Sequence, residues 1–589
     1  MKKYLSMLGF SLLLASGCAT VPPPASSGST SPHGAMTIES AEGGAEAFDP
    51  DAATPTVPAV ELSGDLLYEL LIADIAQRRG HYDRSVDGYL RLAQETRDPR
   101  LAERATRIAL YARRSAEAQE AGELWAELDP ENVEARQSLA ALYIRDGKTD
   151  QALSHIEEIL SYSAEGADNG FMVIASLLSR EKDKRVALDV MGKLVAAREG
   201  NADALYAYSH LAARLGELEE ASKAIDQVIK LKPDMDAAII QKARILQAQG
   251  KTAQTSAFLQ DVIKRDPRNP EYRLFYARML ADEDRFDEAF TQFAKLNELS
   301  PGNDDIVFAL GFLALQLGRL DEAEKYLVEL IDRGGRGPEV MYYLGRLEEE
   351  RGDLAKAKRW YGQINDGEHY INAQIRIVVL KAHDGDLAGA RAHLDALKAQ
   401  RPAHRLRLFL VEGEVLVEHE KYQEALDMYN AALSEFADNA DLLYARAMVA
   451  EKLDNLDQLE TDLRAILARN PNNAEALNAL GYTLADRTDR YQEALELVTR
   501  ALELRPGDYF ILDSMGWVHY RLGNHDEAVK YLRRALEMKP DAEVAAHLGE
   551  VLWVAGDKDG ARKVWQQALE YDPETKRKIV LEVMQRLDH

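Results

Sequence analysis

The residues able to do chemistry are few in this chain and are not arranged to act together. Its 589 residues include one cysteine and thirteen histidines. His419-Glu420 opens like the first half of a zinc-protease H-E-x-x-H pattern, but no second histidine follows at that spacing. No G-x-S-x-G nucleophile turn and no G-x-x-x-x-G-K-[ST] phosphate loop occurs. The run Gly334-Gly335-Arg336-Gly337 lacks the preceding strand that a phosphate cradle needs, so it reads as a linker. Glu348-Glu349-Glu350 reads as a solvated helix face. A single cysteine closes no intrachain disulfide and builds no Cys-rich zinc module. We therefore expect no catalytic residues, no metal and no cofactor: the chain is not an enzyme.

The cysteine has a different use. Met1-Lys2-Lys3 is a short basic start, followed by twelve mostly apolar residues from Tyr4 to Ala15. That is too short for the roughly 20 residues of a membrane-spanning helix and has the layout of a signal peptide. It ends in Leu14-Ala15-Ser16-Gly17-Cys18, which resembles the lipobox of bacterial lipoproteins, although leucine stands four places before the cysteine rather than three. The resemblance implies that residues 1–17 are removed and that Cys18 is acylated, with palmitate among its chains, and becomes the new N-terminus. Two or more acyl chains hold a protein stably at a membrane. Ala19 stands where that family places Asp for inner-membrane retention, which implies sorting to the outer membrane, facing the periplasm.

Composition separates the next segment from the body of the chain. Residues 19–62 hold seven of the 19 prolines, six acidic residues and no Lys or Arg. Such a stretch buries too little apolar surface to offset its ordering entropy, so 18–62 is expected to be the lipidated cysteine and a disordered tether. Overall, 72 basic residues face 99 acidic ones, a net charge of −27. That balance excludes nucleic acid as a partner, because phosphate contacts need a basic surface. The charge is uneven. Residues 77–114 carry ten Arg and five acids, and Arg100, Arg104 and Arg107 fall on one helical face. They form either a basic patch for anionic lipid or an acidic partner, or internal pairs with the acidic chain beyond.

The remainder is one pattern repeated. Prolines 233, 267 and 301 are 34 apart, and prolines 471, 506, 540 and 573 follow at intervals of 35, 34 and 33. A second column runs Ser85, Ala118, Ala152, Ala187, Ala221, Thr255, Ala289, Ala323, Ala357, Ala390, Ala425, Leu459, Ala494, Ala528 and Ala561. The clearest unit is Met515-Gly516-Trp517, Tyr520, Leu522-Gly523, Ala528, Leu532, Ala535 and Pro540. It resembles the tetratricopeptide (TPR) consensus slot for slot, with the aromatic one place late. The resemblance implies an all-α superhelical solenoid of about fifteen helical hairpins over 63–573, with 574–589 as a C-terminal capping helix. Small pairs such as Gly345 with Ala357, or Gly516 with Ala528, are expected where paired helices cross. Glycines 147, 216, 250, 318, 352, 523 and 556 are expected to end first helices in a left-handed residue. No single hairpin can bury its apolar face, so stability comes from stacking. The length that predicts about four domains at roughly 150 residues each is instead one repeat array. The connections 333–338 and 365–367 are either hinges or variable turns, and they read as turns.

Within the TPR family the first helix of each hairpin lines the groove that holds peptides or protein partners. Carried to the matching slots, this gives Tyr444, Met448, Asn478, Tyr482, Asp513, Trp517, Tyr520 and Trp553 as the partner-binding face, with Phe308, Phe312, Tyr342 and Arg346 in the same slots earlier. The blocks Leu477 to Asp486 and Leu512 to Trp517, with Asp98-Pro99-Arg100-Leu101-Ala102-Glu103-Arg104-Ala105, look like those of TPR lipoproteins of the Gram-negative envelope. One such lipoprotein is an outer-membrane adaptor for a carboxyl-terminal processing protease and its cell-wall hydrolase substrates. The resemblance implies a tethered scaffold for periplasmic proteins or peptides, that protease among them. The alternative is a structural component of an envelope machine for polysaccharide export or pilus assembly.

Overall fold

The computed structural model describes residues 63–162, 167–571 and 574–588. The signal peptide, Cys18 and the tether lie outside the described residues. The helices fall into two compact units, divided between Arg319 and Leu320, and each is described by itself. The first holds α1 (Gly64–Arg78), α2 (Tyr82–Thr96), α3 (Pro99–Tyr111), α4 (Ser115–Leu128), α5 (Val133–Arg145), α6 (Thr149–Tyr162), α7 (Ala167–Leu178), α8 (Lys184–Ala196), α9 (Ala202–Arg214), α10 (Leu218–Leu231), α11 (Asp236–Ala248), α12 (Thr252–Arg265), α13 (Pro270–Asp282), α14 (Phe286–Leu299) and α15 (Asp304–Gln316). The second holds α16 (Leu320–Asp332), α17 (Gly337–Arg351), α18 (Leu354–Gly362), α19 (Tyr370–His383), α20 (Leu387–Gln400), α21 (Arg405–Glu418), α22 (Tyr422–Glu435), α23 (Ala440–Lys452), α24 (Leu456–Arg469), α25 (Ala474–Arg487), α26 (Tyr491–Leu504), α27 (Tyr509–Arg521), α28 (His525–Met538), α29 (Ala542–Val554), α30 (Lys558–Tyr571) and α31 (Glu574–Asp588). Among the described residues there is no strand.

Among the described residues thirty α-helices alternate along the chain as first and second members of fifteen sequential pairs, and α31 follows as the expected cap. Within each unit a helix packs on those one or two places away in the chain. Local chemistry sets the repeat. Asn132, Asn269, Asn303, Asn473 and Asp508 each stand two residues after a proline and accept a backbone N–H of the first helical turn at 2.9–3.1 Å. The proline ends one hairpin and the cap begins the next. Where the proline is missing, as before α9 and α23, Asn201 and Asn439 still cap the helix. At the turn inside the hairpin all seven predicted glycines have φ between 69° and 97°. Arg113, Asp284, Glu420 and Asp454 take the left-handed position elsewhere, at φ 57–59°.

All fifteen residues of the alanine column lie on even-numbered helices and are at most 1 % exposed. Twelve positions earlier, on the partner helix, sits another small residue in most pairs. Where that residue is glycine the space goes to a large side chain: a methyl at Gly413 would overlap the Tyr429 ring, and one at Gly549 the Trp565 indole. Serines in these columns satisfy themselves across the pair. Ser85 Oγ donates to Ala73 O at 2.8 Å, and Ser209 Oγ to Ala221 O at 2.9 Å. The cap α31 buries Val580 fully and packs Val583 and Leu587 on the last hairpin, while Ile579 stays exposed.

The fold places three features that the sequence singled out. The triad Glu348-Glu349-Glu350 is not a solvated face. Glu348 is 2 % exposed and paired with Lys356, and Glu349 accepts from Arg376 Nε at 2.9 Å and Tyr361 OH at 2.6 Å. The reason is position: at the end of α17, Glu348 faces its own pair and Glu349 faces α19, leaving only Glu350 outside. His419 places Nδ1 2.8 Å from Val415 O and Nε2 2.9 Å from Ala382 O, so its ring ties the end of α21 to α19. The Gly-rich stretch before α17 is a turn, closed by Gly335 N–H donating to Leu330 O at 2.9 Å.

Candidate partner-binding face

A geometric rule places the predicted residues. The small residue that meets the paired helix is Ala447 on α23, Gly481 on α25, Gly516 on α27 and Gly549 on α29. On the first three of these helices, the side chains three before and one after it are one turn apart on a common stripe. They are Tyr444 with Met448, Asn478 with Tyr482, and Asp513 with Trp517.

The stripe is not uniform in exposure. Tyr444 and Met448 are half-buried and pack on the core shared by α23 to α27. Asn478 is also half-buried, and its Oδ1 is shielded from solvent with no hydrogen-bond partner among the described residues. Asp513 and Trp517 are each 7 % exposed, because His547 of α29 covers both. His547 Nδ1 lies 3.0 and 3.1 Å from the two Asp513 carboxylate oxygens, and its ring stacks on the Trp517 indole at 4.3 Å. Trp517 Nε1 donates to Asp486 Oδ1 at 3.1 Å, and Tyr520 OH donates to Glu550 Oε1 at 3.3 Å. Arg586 of the cap pairs with Glu550. Trp553 lies outside this network, 5.7 Å from Trp565 and flanked by Lys558 and Arg562 at 4.6 and 5.1 Å.

Charge within the network follows from burial. Burial opposes protonation of His547, but the Asp513 carboxylate, its hydrogen bond, and Glu543 and Glu550 more than offset this, so the imidazole is held above its ordinary value. Tyr482 is pushed well up by burial and by Asp486 and Asp513. Sequence reasoning missed His547, Asp486, Glu550 and Arg586. His547 stands one place past the slot that matches Asn478 and Asp513, which on α29 is Ala546, so register alone did not select it. Arg586 carried no register signal either, since the cap lies outside the repeat.

The N-terminal arginines are engaged internally. Arg100 binds Asp98 at 2.6 Å, Arg107 binds Glu134 at 2.8 Å and Glu103 at 3.0 Å, and Arg104 donates to Gln77 Oε1 at 2.9 Å. Arg107 reaches an acid of the next hairpin, Arg100 pairs among the described residues only with the cap of its own helix, and Arg104 meets a neutral amide. Arg104 and Arg107 also line a hollow of about 390 Å³ with Tyr82 and the exposed Tyr111.

Comparison with known proteins fits this repeat geometry. Models described as tetratricopeptide repeat match residues 202–235, 240–304, 280–341, 410–458, 460–509 and 514–575. TPR repeat-containing protein PA4667 of Pseudomonas aeruginosa is 36 % identical over 491 residues, 83 % of this chain and 82 % of that one. The chain belongs to the tetratricopeptide-repeat family. The human mitochondrial import receptor subunit TOM70 is a more distant relative, 25 % identical over 32 % of this chain and 33 % of its own. Among solved structures, that of Naa15/Naa10 bound to HypK-THB aligns over 88 % of this chain and 99 % of its own, at 12 % identity and a TM-score of 0.36. As a TPR protein the chain is of a kind that binds proteins on stacked helical hairpins and generally carries no catalysis of its own.

Proposed function

We propose that this TPR chain is a non-catalytic scaffold, tethered to the outer membrane through acylated Cys18, that binds protein partners in the periplasm on the first-helix face of its last repeats. The partner we assign is a carboxyl-terminal processing protease with its cell-wall hydrolase substrates, on the strength of the envelope-lipoprotein resemblance. The observation that carries the reading is the stripe from α23 to α27. Tyr444 and Met448 present half-buried apolar surface of the kind that anchors interfaces, next to an Asn478 acceptor shielded from water and left without a donor. Behind them the Asp513–His547–Trp517 network fixes α27 against α29, so the stripe is held before a partner arrives. A scaffold of this kind needs no chemistry: holding enzyme and substrate on one tethered body raises their concentration for each other.

A tagged pull-down from solubilised envelope tests it, with Tyr444→Ala/Met448→Ala as the comparison. A carboxyl-terminal processing protease together with cell-wall hydrolases, recovered by the wild type and lost from the variant, supports the proposal. Recovery of secretin, polysaccharide synthase or pilus subunits instead overturns it in favour of a structural component.

A further inference from the structure

The first unit carries a second patterned face. Applying the same rule to α7, α9, α11, α13 and α15, the residue three before the crossing position is Met172, Tyr206, Ile240, Leu274 and Phe308, each 34 after the last. The first four are half-buried and Phe308 is 8 % exposed, which makes a continuous apolar rail. One turn on, at the same interval, α9, α11 and α13 carry His210, Arg244 and Arg278, and Arg214 adds a charge at the end of α9. These rungs share one surface. The Arg244 charge reaches Tyr206 and His210 on the neighbouring helix, and burial with the charges of Arg214 and Arg244 holds His210 below its ordinary value.

The arginines of this rail are exposed and form no ion pair among the described residues, a state they share with others of the unit such as Arg79, Arg84 and Arg145; what sets Arg244 and Arg278 apart is their common repeat register. In the same unit Arg198 pairs with Glu157, Arg265 with Asp261 and Arg285 with Glu288. Arg214, Arg244 and Arg278 are exposed and have no ion-pair partner among the described residues; Asp282 feels the Arg278 charge without pairing with it. Three guanidinium groups without an ion pair among the described residues, two of them in repeat register, make this stripe a basic face on a chain of net charge −27.

We propose that this face binds an extended acidic polypeptide, with its carboxylates on Arg244 and Arg278 and its apolar side chains on the rail beside them. The spacing favours this class of partner. Packed helices lie about 8–10 Å apart, and a polyproline II strand presents every third residue on one side with a rise of about 9.3 Å per turn. An acid at every third residue therefore meets one rung per repeat. The apolar rail is what separates a peptide from a bare polyanion, which has nothing to place on Ile240 and Leu274. Guanidinium groups also take carboxylates two oxygens at a time, which gives register as well as attraction. This site goes beyond the face in the second unit and stands or falls separately from it.

Fluorescence anisotropy with the full chain tests it, using labelled (Glu-Leu-Pro)5 as probe and (Lys-Leu-Pro)5 and a single-stranded oligothymidylate as comparisons. The glutamate peptide should bind with an affinity that falls as salt rises, and the lysine peptide should not bind. Arg244→Glu/Arg278→Glu should weaken the glutamate peptide at least tenfold with an unchanged melting temperature, since both side chains are exposed, and Ile240→Ser should weaken it several-fold. The double variant should still capture the partners of the second unit. Unchanged affinity in the double variant overturns the proposal. So does oligothymidylate that binds as tightly as the peptide and competes with it, which would mark a general polyanion surface.

Discussion

At the scale of single residues, His547 links the fold of the last repeats to pH. Its ring is enclosed by Asp513 and Trp517 of α27, with Tyr482 of α25 at 6.2 Å and Glu543 and Glu550 on its own helix. Because the folded protein holds the imidazole above its unfolded value, about 6.5, the protonated pair with Asp513 stabilises the fold below that pH, and the contribution is lost as pH rises through the folded value. We predict that His547→Gln lowers stability by about 1.5–3 kcal/mol at pH 6, the range for a hydrogen bond to a charged group. The gap between wild type and variant should narrow on going to pH 9. His155, His210, His393 and His519 are shifted downward, chiefly by burial, and change stability in the opposite sense, so the difference between the two melting curves is the quantity to follow. Parallel curves at every pH would remove His547 as the cause. The stripe Tyr444, Asn478, Asp513 with Met448, Tyr482 and Trp517 was legible only as what the TPR resemblance implies for first-helix slots, once the repeat register located them. Its burial was not, because residue type at one position does not reveal that a neighbour 34 places on will cover it.

Element by element, the hairpins are governed by volume at the crossing point. Gly549 lets the Trp565 indole lie against the backbone of α29, where the ring is 1 % exposed. We predict that Gly549→Ala costs about 1–3 kcal/mol, the usual penalty of overpacking a filled core. Trp565→Leu in the same chain should restore part of it by returning the space. Differential scanning fluorimetry on the two variants checks this, and an additive double variant would show that the two sites do not share that space. The alanine column, the turn glycines and the fifteen pairs were readable because small residues and left-handed turns are demanded by backbone geometry rather than by distant partners. The Glu348–Glu350 run was misread for the opposite reason. Acidic runs on helices usually face water, and only the tertiary positions of Lys356 and Arg376 turn two of these three inward. The arginines of α3 show the same limit, since their acids lie partly in their own helix and partly one hairpin on.

For the whole molecule, the decisive property is that among the described residues the helices of each unit pack on near neighbours in the chain, so stability adds up repeat by repeat. A lesion in one stretch should lower local stability there without propagating along the array. We predict that Gly549→Ala raises backbone hydrogen exchange in α27 to α31 and leaves α9 to α13 at wild-type protection. Binding of an acidic peptide to Arg244 and Arg278 should then be unaffected, while capture of partners by the last repeats weakens. Uniform loss of protection over both units would instead mean that the 589 residues unfold as one cooperative body. The same locality bears on the proposed anchor. If Cys18 does nothing but hold the chain at the membrane, Cys18→Ala should move the protein from the membrane to the soluble periplasmic fraction while both binding faces keep their affinities in solution. Turnover of membrane-held substrates should nevertheless fall, because the loss is one of local concentration rather than of contact. Unchanged fractionation would refute lipidation at Cys18, and unchanged turnover after release would show that tethering is not how the scaffold acts.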